Sequence, residues 1–268
     1  MAQARVELNG SLPSPSAEGL AATRPALPRR LLAELLGSAF LAATVVGSGI
    51  AARHLSPGDV GLELFENATA TAAGLYTYIS MFGPISGAHF NPVVSFVDAA
   101  WGSMRWRDAF GYLAAQVAGC VGGAIAANLM FSQALVSFSA RYRASGAHFL
   151  SEVIATFGLV LVIFGLSRAG RSRSVPAAVG SYIGAAYFFT SSTSLANPAI
   201  ALGRMFSNSF AGIAPSSVPL FVGAEALGGA LALGALKLLY PQHARLANLY
   251  SPPDLDRAGR PVPRQEPR

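Results

Sequence analysis

Long apolar runs alternate with short polar breaks through the middle of the chain. Six runs stand out, at 31–51, 64–82, 107–130, 149–166, 175–190 and 218–240. A helix needs about 20 apolar residues to cross the hydrocarbon core of a bilayer, so the pattern predicts six transmembrane helices. Residues 1–28 are polar and hold four prolines, and 241–268 carry Pro252, Pro253, Pro261, Pro263 and Pro267 among arginines. Segments of that kind bury too little apolar surface to fold alone. They read as disordered tails flanking a membrane domain at 29–240. Arg29-Arg30 before an apolar run also fits the start of a cleaved signal peptide. Glu34 inside the run, its length and its later partner in the chain favour a retained helix.

Two further apolar stretches, 90–101 and 196–206, are only about half a span long. Both open on Asn-Pro. Asn is a good N-cap and Pro suits the first helical turn, so each predicts a short helix. A half-length helix at membrane depth survives only when packed in protein or lining an aqueous cavity. The two halves of the chain also repeat. Ala33-Glu34 matches Ser151-Glu152, Asn91-Pro92-Val93 matches Asn197-Pro198-Ala199, and Ala115-Gln116 matches Ala224-Glu225, at offsets of 118, 106 and 109. The repeats run over about 30–135 and 148–240. Three spans per repeat is an odd number, so the second repeat is inverted relative to the first. Inverted repeats with paired interrupted segments point to a substrate path at their interface.

Composition agrees with a membrane protein. Apolar residues make up 52% and charged residues 12%, about half the charge of a soluble domain. The single cysteine, Cys120, excludes a disulfide framework and a Cys-rich metal site. It reads as helix packing. The net charge of +6 lies between apolar blocks, and no aromatic-plus-basic motif appears, which sets nucleic acid aside. Placing the N-terminus in the cytoplasm puts 15 of the 19 basic residues inside, with Arg53, Arg141, Arg143 and Arg204 outside. The positive-inside bias therefore predicts a multi-pass protein of the cell membrane with both termini cytoplasmic. No nucleophile–base pair, metal cluster or cofactor motif appears, so an enzyme is not expected.

The paired Asn-Pro segments, the Glu of the first and fourth spans, and Ser86-Gly87-Ala88-His89-Phe90 resemble the aquaporin, or major intrinsic protein, family over about 30–240. The resemblance implies an all-α channel of six tilted helices plus two half-helices meeting at the bilayer centre, assembled as a homotetramer with one pore per subunit. Asn91, Pro92, Val93, Asn197, Pro198 and Ala199 would then form the pore centre. Each half-helix N-terminus would place about +0.5 elementary charge there. With the Asn amides donating to passing oxygens, a water file could not form an unbroken proton wire, and cations would be repelled. Val93 replaces the family's usual alanine. Glu34 and Glu152 would be buried braces accepting hydrogen bonds from the loops before the half-helices, with a proton relay as the alternative. His89 lines the cytoplasmic mouth or simply packs its loop. Glu225, where the first repeat has Gln116, reads as a hydrogen-bonded, protonated structural residue rather than a titrating gate.

The family usually carries an arginine directly after the second Asn-Pro-Ala; this chain has Ile200. Arg204 lies one helical turn further, expected in the outer vestibule. Ungapped counting places the rest of the outer selectivity filter at Thr71, Ala185 and Ser194. Together with Ile200 these make a wide, neutral ring, which resembles the bacterial aquaglyceroporin-like proteins associated with arsenic resistance. The resemblance implies a passive channel for water and small neutral solutes, with arsenite or methylated arsenicals as cargo. The alternative is an ion-coupled secondary transporter.

Overall fold

The computed structural model describes residues 25–240. Of the expected tails, 1–24 and 241–268 lie outside the described residues. The first helix already begins at Leu27, with Pro28 in its first turn, so the boundary at 28 falls inside it. Within the described residues the chain is all-helical: α1 (Leu27–Leu55), α2 (Val60–Ser86), α3 (Pro92–Trp101), α4 (Trp106–Met130), α5 (Gly146–Arg168), α6 (Val175–Phe189), α7 (Pro198–Arg204) and α8 (Val218–Leu239). α1, α4, α5 and the stretch Pro215–Leu239 are long and apolar enough to cross a bilayer. α6 has 15 residues, about 22 Å of rise.

The helix ends follow local chemistry. Asp59 accepts from the Leu62 N–H at the start of α2, and Ser145 accepts from the His148 N–H at the start of α5. α2 and α3 end at Gly87 and Gly102, at φ 91° and 94°, the left-handed geometry that lets glycine close a helix.

Packing runs in two matching sets: α1 against α4 and α2, and α5 against α8 and α6. Small residues permit it. A Cβ on Gly119 of α4 would strike the Leu35 carbonyl of α1, and one on Gly228 of α8 would strike the Val153 carbonyl of α5. Leu35 and Val153 stand at the same offset as Glu34 and Glu152, and Gly119 and Gly228 at that of Gln116 and Glu225. The two close crossings are therefore repeat copies of each other. Arg30 and Asp108 form a buried ion pair at 2.8 Å that ties the start of α1 to the start of α4.

Candidate functional site

The two Asn-Pro turns face each other in the middle of the molecule. Asn91 accepts from the Val93 N–H at 2.9 Å, and Asn197 accepts from the Ala199 N–H at 3.0 Å and the Ile200 N–H at 3.3 Å. These are the caps of α3 and α7. Each side-chain amide also reaches across: Asn91 Nδ2 donates to the Ala196 carbonyl and Asn197 Nδ2 to the Phe90 carbonyl, both at 2.7 Å. The amides thus clasp the two turns together. An NH2 group carries two donors, so each Asn keeps one N–H for a molecule in the adjoining cavity.

Behind each turn lies a buried carboxylate. Glu34 Oε1 accepts from the Ser86 hydroxyl at 2.6 Å and the His89 N–H at 3.0 Å. Its Oε2 accepts from the Phe90 N–H at 2.7 Å and Gln116 Nε2 at 2.8 Å. Glu152 accepts from the Leu195 N–H at 2.9 Å and the Ala196 N–H at 2.7 Å. Glu225 accepts from the Asn197 N–H at 2.9 Å. These bonds hold a costly backbone. Ala88, Phe90, Ser194 and Ala196 have φ of 49°, 48°, 50° and 49°, a region that costs a side-chain-bearing residue about 1–3 kcal/mol unless its surroundings enforce it. The carboxylates enforce it by engaging the backbone N–H groups in between.

The turns close one wall of a narrow cavity of about 80 Å³. Its other walls are apolar stripes at four-residue spacing, among them Thr71, Leu75 and Ile79 of α2, and Val175, Val179, Ile183 and Tyr187 of α6. His89 belongs both to this cavity and to a wider recess of about 1150 Å³ that also touches Asp98, Arg168 and Arg173. The two spaces share wall residues, among them Gly87, His89 and Val94, and His89 Nδ1 lies 3.0 Å from the Ser95 hydroxyl.

At the other end, Thr71, Ser194, Ile200 and Arg204 all line the cavity. Ala185 does not. It lies exposed on α6, because two residues of helix rotate a side chain by about 200° away from Tyr187. The α6 position facing Thr71 is Tyr187, whose hydroxyl is 3.1 Å from that of Thr71. Arg204 is not in an open vestibule: it is 2% exposed, and its Nε donates to the Ala211 carbonyl. Among the described residues its terminal nitrogens meet no acceptor, leaving them to the cavity. Arg143, in the loop before α5, donates to the Ser192 carbonyl at 2.9 Å, and burial lowers its pKa. Tyr187 and the cavity stripe of α6 escaped the sequence reading, although their spacing of four was visible.

Among the described residues no group of three His, Cys, Asp or Glu could hold a metal ion. The sequence profile of the major intrinsic protein family matches residues 21–206. The chain is 48% identical to the aquaglyceroporin AqpS of Rhizobium meliloti over 213 residues, 80% of this chain and 91% of that one. It is 30% identical to a probable glycerol uptake facilitator of Thermotoga maritima over 149 residues, 50% of this chain and 63% of that protein. The aquaglyceroporin of Plasmodium falciparum superposes with a TM-score of 0.63 at 19% identity, covering 84% of this chain and all of that one. Sequence profile and fold agree with the paired Asn-Pro turns: this chain belongs to the major intrinsic protein family, whose aquaglyceroporins are multi-pass membrane channels and not enzymes.

Proposed function

We propose that the chain is a passive channel for water and small neutral hydroxylated solutes such as glycerol. Six helices cross the bilayer, and α3 and α7 are half-helices meeting at its centre. One observation carries this reading: the cavity is narrow, apolar on most of its wall, and polar mainly at His89, Asn91, Asn197 and the Thr71–Tyr187–Arg204 end. A water occupies roughly 10–15 Å³ of such a cavity, so about 80 Å³ holds a short single file. No carboxylate lines it. Glu34, Glu152 and Glu225 stand behind the turns and hold their backbone N–H groups, which leaves ion-coupled transport without a coordinating group on the path.

The outer selectivity filter is Thr71, Tyr187, Ser194, Ile200 and Arg204. Ile200 offers no donor to the solute, and the guanidinium stands one turn beyond it on the same helical face. Such a ring suits uncharged solutes larger than water, including As(OH)3 and its methylated forms, which present hydroxyls much as glycerol does. Both termini are cytoplasmic, since the recess holding Arg168 and Arg173 then faces the side where basic residues concentrate. The functional unit is a homotetramer with one path per subunit, to be checked by the mass of the detergent-free complex. Stopped-flow light scattering of proteoliposomes tests permeation. Water, glycerol and arsenite fluxes above those of empty vesicles, unsaturated and independent of any ion gradient, are expected. Flux that saturates and follows a proton or sodium gradient would overturn the channel assignment.

A further inference from the structure

The two carboxylate braces are copies, but the side chain beside each differs. In the first repeat Gln116 donates an amide N–H to Glu34 Oε2 at 2.8 Å. In the second repeat the matching position is Glu225, and its carboxyl is hydrogen-bonded to that of Glu152. Several of the remaining contacts correspond, while Glu225 also accepts from the Asn197 N–H where, among the described residues, Gln116 Oε1 meets no donor. The Ser86 hydroxyl accepts from the Ala88 N–H at 3.0 Å, and the Ser192 hydroxyl accepts from the Ser194 N–H at 3.3 Å. Ser86 donates to Glu34 at 2.6 Å, and Ser192 stands beside Glu152. Two backbone N–H groups serve each brace. The donor to the brace has been replaced by a residue that as a carboxylate has nothing to donate.

Both acids are fully buried, at 0% exposure. Glu225 Oε1 is taken by the Asn197 N–H, while its Oε2 has no protein donor to accept from. Two touching carboxylates in a dry site cannot both stay ionised. A cation does not resolve the conflict: Arg204 influences both acids and Arg143 and Tyr182 influence Glu152, but among the described residues none forms an ion pair with either, and Arg204 spends its Nε on the Ala211 carbonyl.

We propose that Glu225 is a positioning residue held as the neutral acid, donating its O–H to Glu152 as Gln116 donates its amide N–H to Glu34. The proton sits on Glu225 because Glu152 already accepts from two backbone N–H groups, one on each oxygen, and Glu225 from one. Each Asn-Pro turn is then braced by a single negative charge, so the second turn carries no excess anion beside the cavity. Loss of that proton would add a negative charge next to the outer filter, where it would draw cations. The proposal rests on the fold and not on which solute permeates.

Infrared difference spectroscopy of the full-length protein in lipid vesicles reads the proton directly. At neutral pH the wild type should show a carboxylic-acid C=O band that disappears in E225Q; a spectrum unchanged by E225Q would overturn the proposal. Solute flux gives a second readout. E225Q keeps an N–H donor to Glu152 and should retain flux, while E225L loses both contacts and should lose most of it. A folded E225Q without flux would equally overturn the donor role. If E225Q does not fold, Q116E carries the test by building the same pair beside Glu34, and the absence of an added acid band would refute the rule. Wild-type vesicles that pass neither water nor solute would instead sink the channel reading, with the infrared band still deciding the pair.

Discussion

The two Asn-Pro turns share a backbone and differ in what surrounds it. Ala88 and Phe90 have φ of 49° and 48°, Ser194 and Ala196 of 50° and 49°. Asn91 and Asn197 are extended at φ −149° and −158°, and each caps its own helix while clasping the opposite turn. The helices that follow the caps differ. α3 has 10 residues and closes on Gly102 beside the wide recess, whereas α7 has 7 and ends on a buried arginine at the narrow end. The turns hold the centre by backbone geometry common to both repeats. The side chains that the repeats do not share, Ile200 and Arg204 above all, line the cavity beyond them.

The most severe break of this comparison replaces a clasp residue. Asn197→Leu removes the cap of α7 and the donor to the Phe90 carbonyl, leaving buried groups unpaired at about 1–3 kcal/mol each, and puts apolar bulk where both turns meet. Water and glycerol flux should fall to the level of empty vesicles, and Asn91→Leu should do the same from the other side. Either variant, correctly folded, with unaltered permeability would mean that the path does not pass between the turns.

Next in size are the repeat-related glycine crossings. Gly119→Ala and Gly228→Ala each push a methyl into a backbone carbonyl of the partner helix, an overpacking cost of about 1–3 kcal/mol. Both should lower the thermal unfolding midpoint in detergent. Gly122 and Gly234 face open space, so Ala there should be neutral or raise the midpoint through helix propensity. A Gly119→Ala midpoint above that of Gly122→Ala would contradict the packing.

Much of this was legible in the residues. Asn-Pro at both half-length segments announced the short helices, and the helix starts and stops follow caps and glycines that single residues encode. Glu34 and Glu152 stood out because an acid in an apolar span needs a partner. What the residues could not disclose were distances across the repeats. The clasp between Asn91 and the Ala196 carbonyl joins atoms 105 positions apart, and its existence depends on how the two turns are docked. Ala185 was misplaced because counting back from Asn197 assumes a loop of known length. The loop from 190 to 196 contains two reversed-φ residues, Thr193 and Ser194, before Ala196, which changes the register at which α6 meets the cavity. The stripe Val175, Val179, Ile183, Tyr187 would have corrected it.

A gentler change sharpens the contrast at the outer end. Ile200→Arg adds a second guanidinium to a wall that already holds Arg204, narrowing the ring and giving it fixed donors at the solute. Swelling rates across a size series of neutral solutes should fall with solute size, with polyol and methylated-arsenical flux reduced several-fold more than water flux. Equal proportional losses for all solutes would place Ile200 outside the filter. Arg204→Leu should act in the opposite sense, admitting larger solutes and weakening the barrier to cations.

The smallest effect concerns the one residue that distinguishes the two Asn-Pro triplets, Val93 against Ala199. Val93 is buried but does not line the cavity. Its extra methyl groups pack on α8 at Gly229, where an added Cβ would strike Val93 Cγ1. Glycine on α8 thus makes room for valine on α3, and the substitution is absorbed by the helix interface instead of the path. Val93→Ala should therefore leave water and glycerol flux close to wild type while costing about 1 kcal/mol of packing. Gly229→Ala alone should cost more, because the clash is with a β-branched side chain that has little rotamer freedom. The double variant should recover most of that loss, giving a favourable coupling within the roughly 0.5–3 kcal/mol seen for residues in direct contact. Thermal midpoints of the four proteins measure it. Additive losses would show that Val93 and Gly229 do not share the space, and a changed solute preference in Val93→Ala would put the side chain on the permeation path.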